Sequence, residues 1–347
     1  MVALDGSGGP GGTVTATLRR ATEADLPDIA ALLSATFPAN PKADVDVLRW
    51  QYLEGPGAPA SSWVFEEPSG VLVSHFTMLV LPAVVDGQLT WVGKSADAAT
   101  LPSHRGRGLF PQAVTASLED LRRRGAAGAI FSPSNPTSRR SLEALGMTAV
   151  AADVPILVRP VNPVRLRRDG RQQGVPTAPD RPIEAADAAL LAAAADNCNA
   201  HVSRTPAWAA WRFANPSARY LVGRAIDGAG ETTGVAVGVL RPRGRLQALY
   251  VLDLAGHGRR DRRSAVADLA NRARGFVSGP LLIVAVAGTC PDQLFEVTSS
   301  GLWRVPARLS PGGFTFGMIA LDGGRSLDGF DLTKRPWRLT WADLDHL

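Results

Sequence analysis

The sequence predicts a mixed α/β protein built from two similar domains in tandem, each with a mixed central sheet flanked by helices. Its 347 residues exceed the roughly 100 to 200 residues typical of one domain. A stretch at 159–182 that is rich in Pro, Gly and Arg separates two segments with alternating strand and helix patterns. We therefore expect a disordered tail at 1–13, a first domain at 14–160, a linker at 161–182 and a second domain at 183–347.

The first domain combines the strand and helix periodicities in an order that does not suit a regularly wound parallel sheet. Thr22 and Asp25 are spaced as in a capping box at the start of the first helix. Asp86 and Gly87 form a hairpin turn between two strands. The predicted strands are 14–20, 63–66, 71–82, 90–100, 126–132 and 147–158, and the predicted helices are 21–37, 44–54, 109–124 and 137–145.

The second domain repeats this pattern weakly, at a spacing of about 160 residues. The segment 209–213 around Trp211 corresponds to the segment 48–52 around Trp50, and each is followed by Pro and then by strands and a helix. The shared order favours an internal duplication. The predicted helices are 185–197 and 260–276, and the predicted strands are 219–226, 234–240, 246–253 and 281–286.

Composition and charge exclude several classes of protein. Apolar residues make up 45% of the chain and charged residues 20%, as in globular proteins. The net charge is +5, and the positive residues are almost all Arg, with no aromatic residues regularly interleaved among them. We therefore do not expect a nucleic-acid partner. Without an apolar span or a signal peptide, we expect no membrane partner and a cytoplasmic monomer or homodimer. Cys198 and Cys290 are expected to be buried free thiols.

The segment 101–114 has the composition of an anion-binding turn followed by a helix start. Gly106 and Gly108 permit backbone conformations that a side chain would forbid. The free amides of the next helix and its dipole favour an anion such as a pyrophosphate. Arg105 and Arg107 could add charge-assisted hydrogen bonds. The sequence matches neither a P-loop nor a complete dinucleotide fingerprint.

In this context residues 14–160 resemble the GNAT superfamily of acyl-CoA N-acyltransferases. Arg105 and Gly108 match the family's [QR]-x-x-G-x-[GA] turn, and Pro102 precedes it as expected. Downstream, the segment from Asn135 to Met147 is similar to the family's N-x-x-[AS]-x-x-x-Y-x-x-x-G-[FM] pattern. The second half resembles the family only in its architecture, which makes it a degenerate copy.

The resemblance implies acetyl-CoA or another acyl-CoA as co-substrate, and transfer of its acyl group to a small-molecule amine. It places the cofactor contacts at the end of one strand, at the turn and at the following helices. These residues are Ala98, Ala99, Thr100, Leu101, Arg105, Gly106, Arg107, Gly108, Leu109, Phe110, Asn135 and Ser138.

Two positions depart from the family pattern. Phe110 replaces the last small residue of the turn, which we expect to leave the first amides free. Leu142 stands where many members carry the tyrosine that protonates the departing thiolate, and a leucine cannot donate a proton. A thiolate with a pKa of about 8.5 can leave without that acid.

Three residues are candidates for the base that deprotonates the amine: Asp97, His75 and His104. Asp97 lies on an otherwise apolar strand, where a carboxylate serves either the substrate or a structural hydrogen bond. His75 has a pKa near the working range but could be a satisfied half-buried histidine. His104 adjoins the turn, where cofactor contact or simple exposure is the main alternative.

The second half and the C-terminus bear on the acceptor. The turn at 255–260 is expected to be a degenerate copy that helps to shape the acceptor cleft, and His201 to be a surface histidine. Trp337 and Trp341 are expected to pack between the domains. The aromatic C-terminus is similar to those of tandem GNAT-like proteins that modify amino sugars, which favours an amino-sugar acceptor. The alternatives are an inactive CoA-binding sensor or structural protein, and an aminoacyl-tRNA-dependent transferase.

Overall fold

The fold is taken from a computed structural model, which describes most of the chain. The described residues are 16–38, 43–57, 59–132, 136–151, 154–161, 181–243, 246–277, 279–306, 315–321 and 332–344. The predicted tail at 1–13 and nearly all of the predicted linker lie outside them.

The first half contains the expected elements, with local reasons for their ends. The Asp25 carboxylate accepts from the Thr22 amide (2.7 Å) and hydroxyl (2.9 Å), which confirms the predicted pairing. Asp44 caps α2 by accepting from two amides. The strands are β1 (Thr17–Arg20), β2 (Ser61–Glu66), β3 (Leu72–Val85), β4 (Gln88–Thr100), β5 (Gly128–Phe131), β6 (Thr148–Ala151) and β7 (Ile156–Val161). The helices are α1 (Leu26–Thr36), α2 (Val45–Leu53), α3 (Leu109–Arg123) and α4 (Pro136–Ala144).

The second half repeats the order of helix, strands and helix, and adds elements near its end. The predicted strand at 281–286 has the bounds found in the structure. The helices are α5 (Ala185–Asp196), α6 (Pro206–Arg212), α7 (Arg259–Arg274) and α8 (Pro291–Ser299). The strands are β8 (Ala200–Val202), β9 (Tyr220–Ile226), β10 (Thr232–Arg243), β11 (Leu246–Gly256), β12 (Leu281–Val286), β13 (Trp303–Arg304) and β14 (Phe316–Ala320).

The elements form two mixed sheets, as predicted, but the sheets exchange strands. The first has the order β1-β2-β3-β4-β5-β14-β6, with β8 paired to β3, and the second has the order β13-β7-β12-β11-β10-β9. The C-terminal strand β14 thus lies between two strands of the first half. In return β7 pairs antiparallel with β12 in the second sheet. Strand pairing therefore crosses the predicted boundary between the domains.

The predicted single strand at 147–158 is wrong. It divides into β6 and β7, which belong to different sheets. Apolar residues continue through both strands, but Pro155 interrupts the backbone hydrogen bonding between them.

The hydrophobic cores follow the same interlocked plan. One cluster packs α3 on one face of the first sheet, and another packs α7 on the second sheet. The largest cluster joins α1 and α2 of the first half to α5 and α6 of the second. Both sheets therefore share one core, and the helices at its centre contact each other across the halves.

A pair of tryptophans links α2 to α6 at the edge of that shared core. The indoles of Trp50 and Trp211 stack with ring centroids 5.1 Å apart and an interplanar angle of 20°. The Trp50 Nε1–H donates to the Trp211 carbonyl (2.8 Å), and the Trp211 Nε1–H donates to the Trp50 carbonyl (3.0 Å). The two residues correspond in the predicted repeat, so the contact is symmetric about the two copies.

The predictions for the C-terminal tryptophans and for His201 have different outcomes. Trp337 is 1% exposed and Trp341 is 7% exposed, which confirms that they pack. The prediction of a surface His201 is wrong: it lies on β8, is 1% exposed and pairs with Val84 of β3. Burial lowers the pKa of its imidazole. No described helix is long and apolar enough to cross a membrane.

The prediction of two free thiols is also wrong, because Cys198 and Cys290 form a disulfide. Cys198 follows α5 and Cys290 precedes α8, and their Cα atoms are 5.9 Å apart. The Cys290 amide donates to the Trp337 carbonyl (3.1 Å). The C-terminal segment thus contacts one end of the bridge, which spans 92 residues of sequence and leaves no local pattern.

We expect Cys198→Ser to lower the free energy of unfolding by about 4 kcal/mol, because the bridge closes a long loop in the unfolded chain. Urea unfolding followed by circular dichroism measures this. Wild-type protein unfolded in reductant is the control and should match the variant. Identical midpoints for oxidised and reduced wild-type protein would contradict the assignment of the bridge.

Candidate active site

The end of β4 lies at a divergence in the first sheet. β4 pairs in parallel with β5 only from Val92 to Lys94, although it continues to Thr100 beside β3. Beyond Lys94, this edge of β4 pairs with no strand in the described residues. The backbone of its last residues therefore remains available on the side where α3 begins.

A β-bulge re-aims the side chains of the same strand. Phe76 of β3 pairs with Ala98, but Met78 pairs with Ser95, so two residues of β4, Ala96 and Asp97, share the space opposite a single residue of β3. A bulge bends the strand and changes where its side chains point. Asp97, which is 7% exposed, reaches the hydroxyl of a tyrosine on α2.

The turn after β4 has the geometry of an anion site. Gly106 and Gly108 have φ values of +76° and +71°, a region that side chains rarely adopt. Gly108 is the N-cap of α3. Within the described residues the amides of 106–110 donate to no acceptor, and Pro111 has no amide hydrogen. These amides and the positive end of the α3 dipole suit a pyrophosphate.

The side chains of the turn are placed differently from its amides. The Arg105 Nε–H donates to the Thr100 carbonyl (3.3 Å) and an Arg107 guanidinium N–H donates to the Ser103 carbonyl (3.0 Å), so both arginines are anchored at the surface. Phe110 packs edge-to-face on Phe76, with centroids 5.6 Å apart. Its ring therefore joins the core under α3, which explains how the turn accommodates a large residue.

The other predicted cofactor contacts lie around this turn. Ala98 is exposed and Ala99 is buried at the end of β4. The Leu101 amide bonds to Val73 of β3 (3.0 Å). Leu109 is half-buried at the start of α3, Ser138 is half-buried on α4, and Asn135 lies outside the described residues.

Five side chains form a buried hydrogen-bonded network beside the bulge. The Tyr52 hydroxyl donates to Asp97 Oδ2 (2.9 Å) and lies 3.1 Å from His75 Nε2. The Thr77 hydroxyl donates to Ser62 (2.7 Å) and lies 3.0 Å from the same nitrogen. Because both hydroxyl protons are used, we infer that His75 Nε2 carries a proton and donates to the two oxygens.

This network separates the two candidates that it contains. Burial lowers the pKa of His75 to about 4, although the Asp97 charge opposes the shift. The ring is therefore neutral at pH 7, and the nitrogen that faces the network is already protonated. Asp97 Oδ2 accepts the hydrogen bond from Tyr52. Of the two groups, Asp97 is the one suited to accept a proton.

His104 does not join the network. Its Nε2 lies 3.0 Å from the Glu67 carboxylate and its Nδ1 lies 3.0 Å from the Ser103 hydroxyl. His104 is the last residue of the short helical turn before Arg105, and both of its ring nitrogens have hydrogen-bond partners. Tyr52 thus connects His75 and Asp97. His104 contacts Glu67 and lies outside this network.

Leu142 serves packing. It is 3% exposed on α4 and belongs to the cluster beneath α3. The neighbouring Ser141 hydroxyl donates to the Thr137 carbonyl within the same helix (3.2 Å). Neither residue of α4 supplies an acid to a departing group.

The second sheet contains a counterpart of this site in which the same features are blocked. The register of β10 and β11 also shifts, and Asp253, which pairs with Val237, lies next to the extra residue Leu252. Arg204 bonds to Asp253 (2.9 Å) and Arg338 lies 3.4 Å from it. At the following turn, Asp261 accepts from the Gly258 amide (3.0 Å). The chain's own side chains therefore occupy both the carboxylate position and the anion position.

Sequence reasoning missed Tyr52, which links the two central residues of the site. Its segment was read only as an aromatic helix that repeats in the second half. The repeat itself contained the signal, because Tyr52 corresponds to Phe213. A hydroxyl present in one copy and absent from the other indicates a function beyond packing.

Comparison with known protein families identifies the first half. Residues 17–143 match the model of an acetyltransferase (GNAT) domain. Over these residues the chain is similar to GNAT acetyltransferase domains. Acyl-CoA, the predicted co-substrate, is the acyl donor of this family. No curated protein sequence matches the chain.

Solved structures extend the likeness in fold to both halves. An N-acetyltransferase from Anabaena variabilis, related to GCN5, superposes with a TM-score of 0.61 at 12% identity, covering 88% of this chain and 72% of that one. A protein of unknown function from Enterococcus faecalis V583, named a probable N-acyltransferase, gives 0.60 at 12%, covering 88% and 73%. Saccharomyces cerevisiae N-myristoyltransferase with bound myristoyl-CoA gives 0.56 at 11%, covering 88% and 82%. These likenesses confirm the predicted tandem fold.

We expect Gly108→Val to weaken coenzyme A binding about tenfold or more, because a β-branched residue is strained at this positive φ. Isothermal titration calorimetry with coenzyme A measures the affinity. Gly87→Val is the matched control, since Gly87 has a φ of +77° in the hairpin between β3 and β4. It should cost similar stability and leave affinity intact, and unchanged affinity in a folded Gly108 variant would refute the site.

Proposed function

We propose that the protein transfers an acyl group from acyl-CoA to a primary amine, with the CoA pyrophosphate bound at the turn 105–110. The observation that carries this proposal is the row of amides at 106–110 that donate to no described acceptor, at the start of α3. The GNAT match over residues 17–143 supports the same assignment. Cofactor contacts at 98–101, Asn135 and Ser138 belong to the proposal.

The divergence of β4 from β5 offers a path for the acyl group. After Lys94 the edge of β4 pairs with no described strand, so its backbone N–H groups can donate to the thioester carbonyl. Such donors stabilise the oxyanion that develops when an amine attacks. We place this contact at Ala98 to Thr100, next to the pyrophosphate turn.

Asp97 is the base in this proposal. The ammonium form of the acceptor loses a proton to the Asp97 carboxylate, and the nitrogen lone pair forms a bond to the acyl carbon. The carbon–sulfur bond breaks, and its electron pair leaves on the CoA sulfur. As the amide forms, the nitrogen gives up its second proton to water. Since Leu142 cannot donate a proton, the thiolate leaves as such and takes one from water. No covalent intermediate on the enzyme is required.

The favoured acceptor is a small-molecule amine of the amino-sugar class, free or attached to a larger metabolite. The two halves meet at Trp50 and Trp211, so residues of both halves can contribute to the acceptor site. The second half contributes walls in this proposal and binds no CoA, because Asp261 occupies its own turn.

We propose that 14–160 and 183–347 are two domains of common origin that exchange strands. A monomer or homodimer in the cytoplasm also remains a prediction. The disulfide between Cys198 and Cys290 argues against a cytoplasmic location, since such bonds persist mainly in oxidising compartments.

A second candidate function is a CoA-binding protein without transferase activity, which the buried Leu142 favours. The two functions differ in one measurement. Acetyl-CoA is incubated with a panel of primary amines that includes glucosamine, and free thiol is followed with time. Release of CoA that depends on the amine supports transfer, whereas tight CoA binding without such release supports the second candidate.

We expect Asp97→Asn to lower the amine-dependent rate by about 100-fold or more, the typical contribution of a general base. CoA affinity should be unchanged, since the pyrophosphate turn is untouched. His104→Ala is the control, because both nitrogens of His104 are engaged by Glu67 and Ser103, and it should keep most of the activity. Full activity in the Asn variant would exclude Asp97 as the base.

A further inference from the structure

Tyr52 is a buried phenol whose hydroxyl contacts two of the base candidates, Asp97 and His75. It is 3% exposed and lies at the C-terminal end of α2. Its hydroxyl donates to Asp97 Oδ2 (2.9 Å) and lies 3.1 Å from His75 Nε2. A buried hydroxyl without a partner would cost stability, but packing alone could be supplied by Phe, as it is at the corresponding position, Phe213.

The two copies of the fold show what the hydroxyl adds. At the corresponding bulge, Asp253 is held by the positive charges of Arg204 and Arg338. Asp97 instead accepts a hydrogen bond from the neutral phenol of Tyr52. An arginine would bind the carboxylate too firmly for it to accept a proton, because a buried ion pair strongly favours the charged form. A phenol brings no positive charge, so it orients the carboxylate and leaves it able to accept a proton.

The helix that presents Tyr52 is itself fixed by the second half. Trp50, two residues earlier on α2, stacks on Trp211 and exchanges two hydrogen bonds with it. Tyr52 therefore lies on a helix that contacts α6 through Trp50. Its own hydroxyl contacts His75 of β3 and Asp97 of β4. This rigidity is what a positioning contact requires.

We infer that Tyr52 is a positioning residue for the proposed acyl transfer, one that holds the Asp97 carboxylate in place and in its ionised form by donating a hydrogen bond. This inference rests on the proposed function. Among the described residues, Tyr52 from α2 donates to the carboxylate, and His75 from β3 interacts with it electrostatically. Lys94, on β4 itself, bonds to the Ser95 carbonyl (3.2 Å), and the charge of Asp25 acts at His75 from the turn before α1.

The test compares wild-type protein with Tyr52→Phe, which removes the hydroxyl and keeps the ring. A hydrogen bond to a charged group is worth about one to two pH units of titration. We therefore expect the carboxyl ¹³C resonance of Asp97, assigned with Asp97→Asn, to titrate about one pH unit higher in the Phe variant. The acidic limb of the rate profile with acetyl-CoA and glucosamine should move to higher pH by the same amount.

Thr77→Val is the matched control. It removes the other hydroxyl that lies beside His75 Nε2 and leaves the bond from Tyr52 to Asp97 in place. Near-ultraviolet circular dichroism verifies that both variants fold. We expect the Asp97 titration to stay at its wild-type position in the Val variant, since a general loss of packing would move it in both.

The outcomes separate this inference from the proposed function. An unmoved Asp97 titration in a folded Tyr52→Phe variant overturns the positioning role, whatever the activity. An equal shift in both variants overturns it too. Full activity of Asp97→Asn instead refutes the base itself. The carboxyl titration needs no acceptor amine, so it decides the role of Tyr52 even if glucosamine is not a substrate.

Discussion

The reciprocal contact between Trp50 and Trp211 is the constraint from which the arrangement of the site follows. Each indole stacks on the other and donates to the other's carbonyl. The contact fixes α2 against α6, and α2 also carries Tyr52. The exchange of β7 and β14 between the sheets reinforces it, because neither sheet is complete without a strand from the other half. The site of the first half thus depends on the second half for its shape.

Symmetry at this contact coexists with a clear difference in chemistry. Both copies contain a bulge with an aspartate and a turn that leads into a helix. In the first copy the aspartate faces a phenol, and the amides of the turn donate to no described acceptor. In the second, arginines bind Asp253 and Asp261 caps the turn. A duplicated fold therefore keeps one copy suited to binding an anion, while the charges of the other stabilise the protein internally.

Local patterns in the sequence predicted most of the helices and strands and the glycine turn before α3. Apolar periodicity, the capping pair Thr22 and Asp25, and the two glycines of the turn act over a few residues, and sequence reports such effects directly. The family resemblance then added the co-substrate. The placement of the base candidates on β3, β4 and the turn also followed from local pattern.

The features that sequence missed all depend on contacts between distant segments. Nothing near β7 indicates that it joins the second sheet, and Cys198 and Cys290 carry no spacing that predicts a bond. His201 is buried because β8 pairs with β3 of the other half. Tyr52 contacts Asp97 because a bulge in β4 changes where the aspartate points. Where the outcome depends on which distant elements meet, short-range pattern does not determine it.

The central claim is that one of the two copies binds acyl-CoA and the other does not. Titration calorimetry of the full chain with coenzyme A measures this most directly, through the number of molecules bound per chain. The account predicts one, with binding weakened by Gly108→Val at the first turn and unaffected by Gly258→Ala at the second. Two molecules per chain, or binding that persists at full strength in the Gly108 variant and fails in the Gly258 variant, would contradict it.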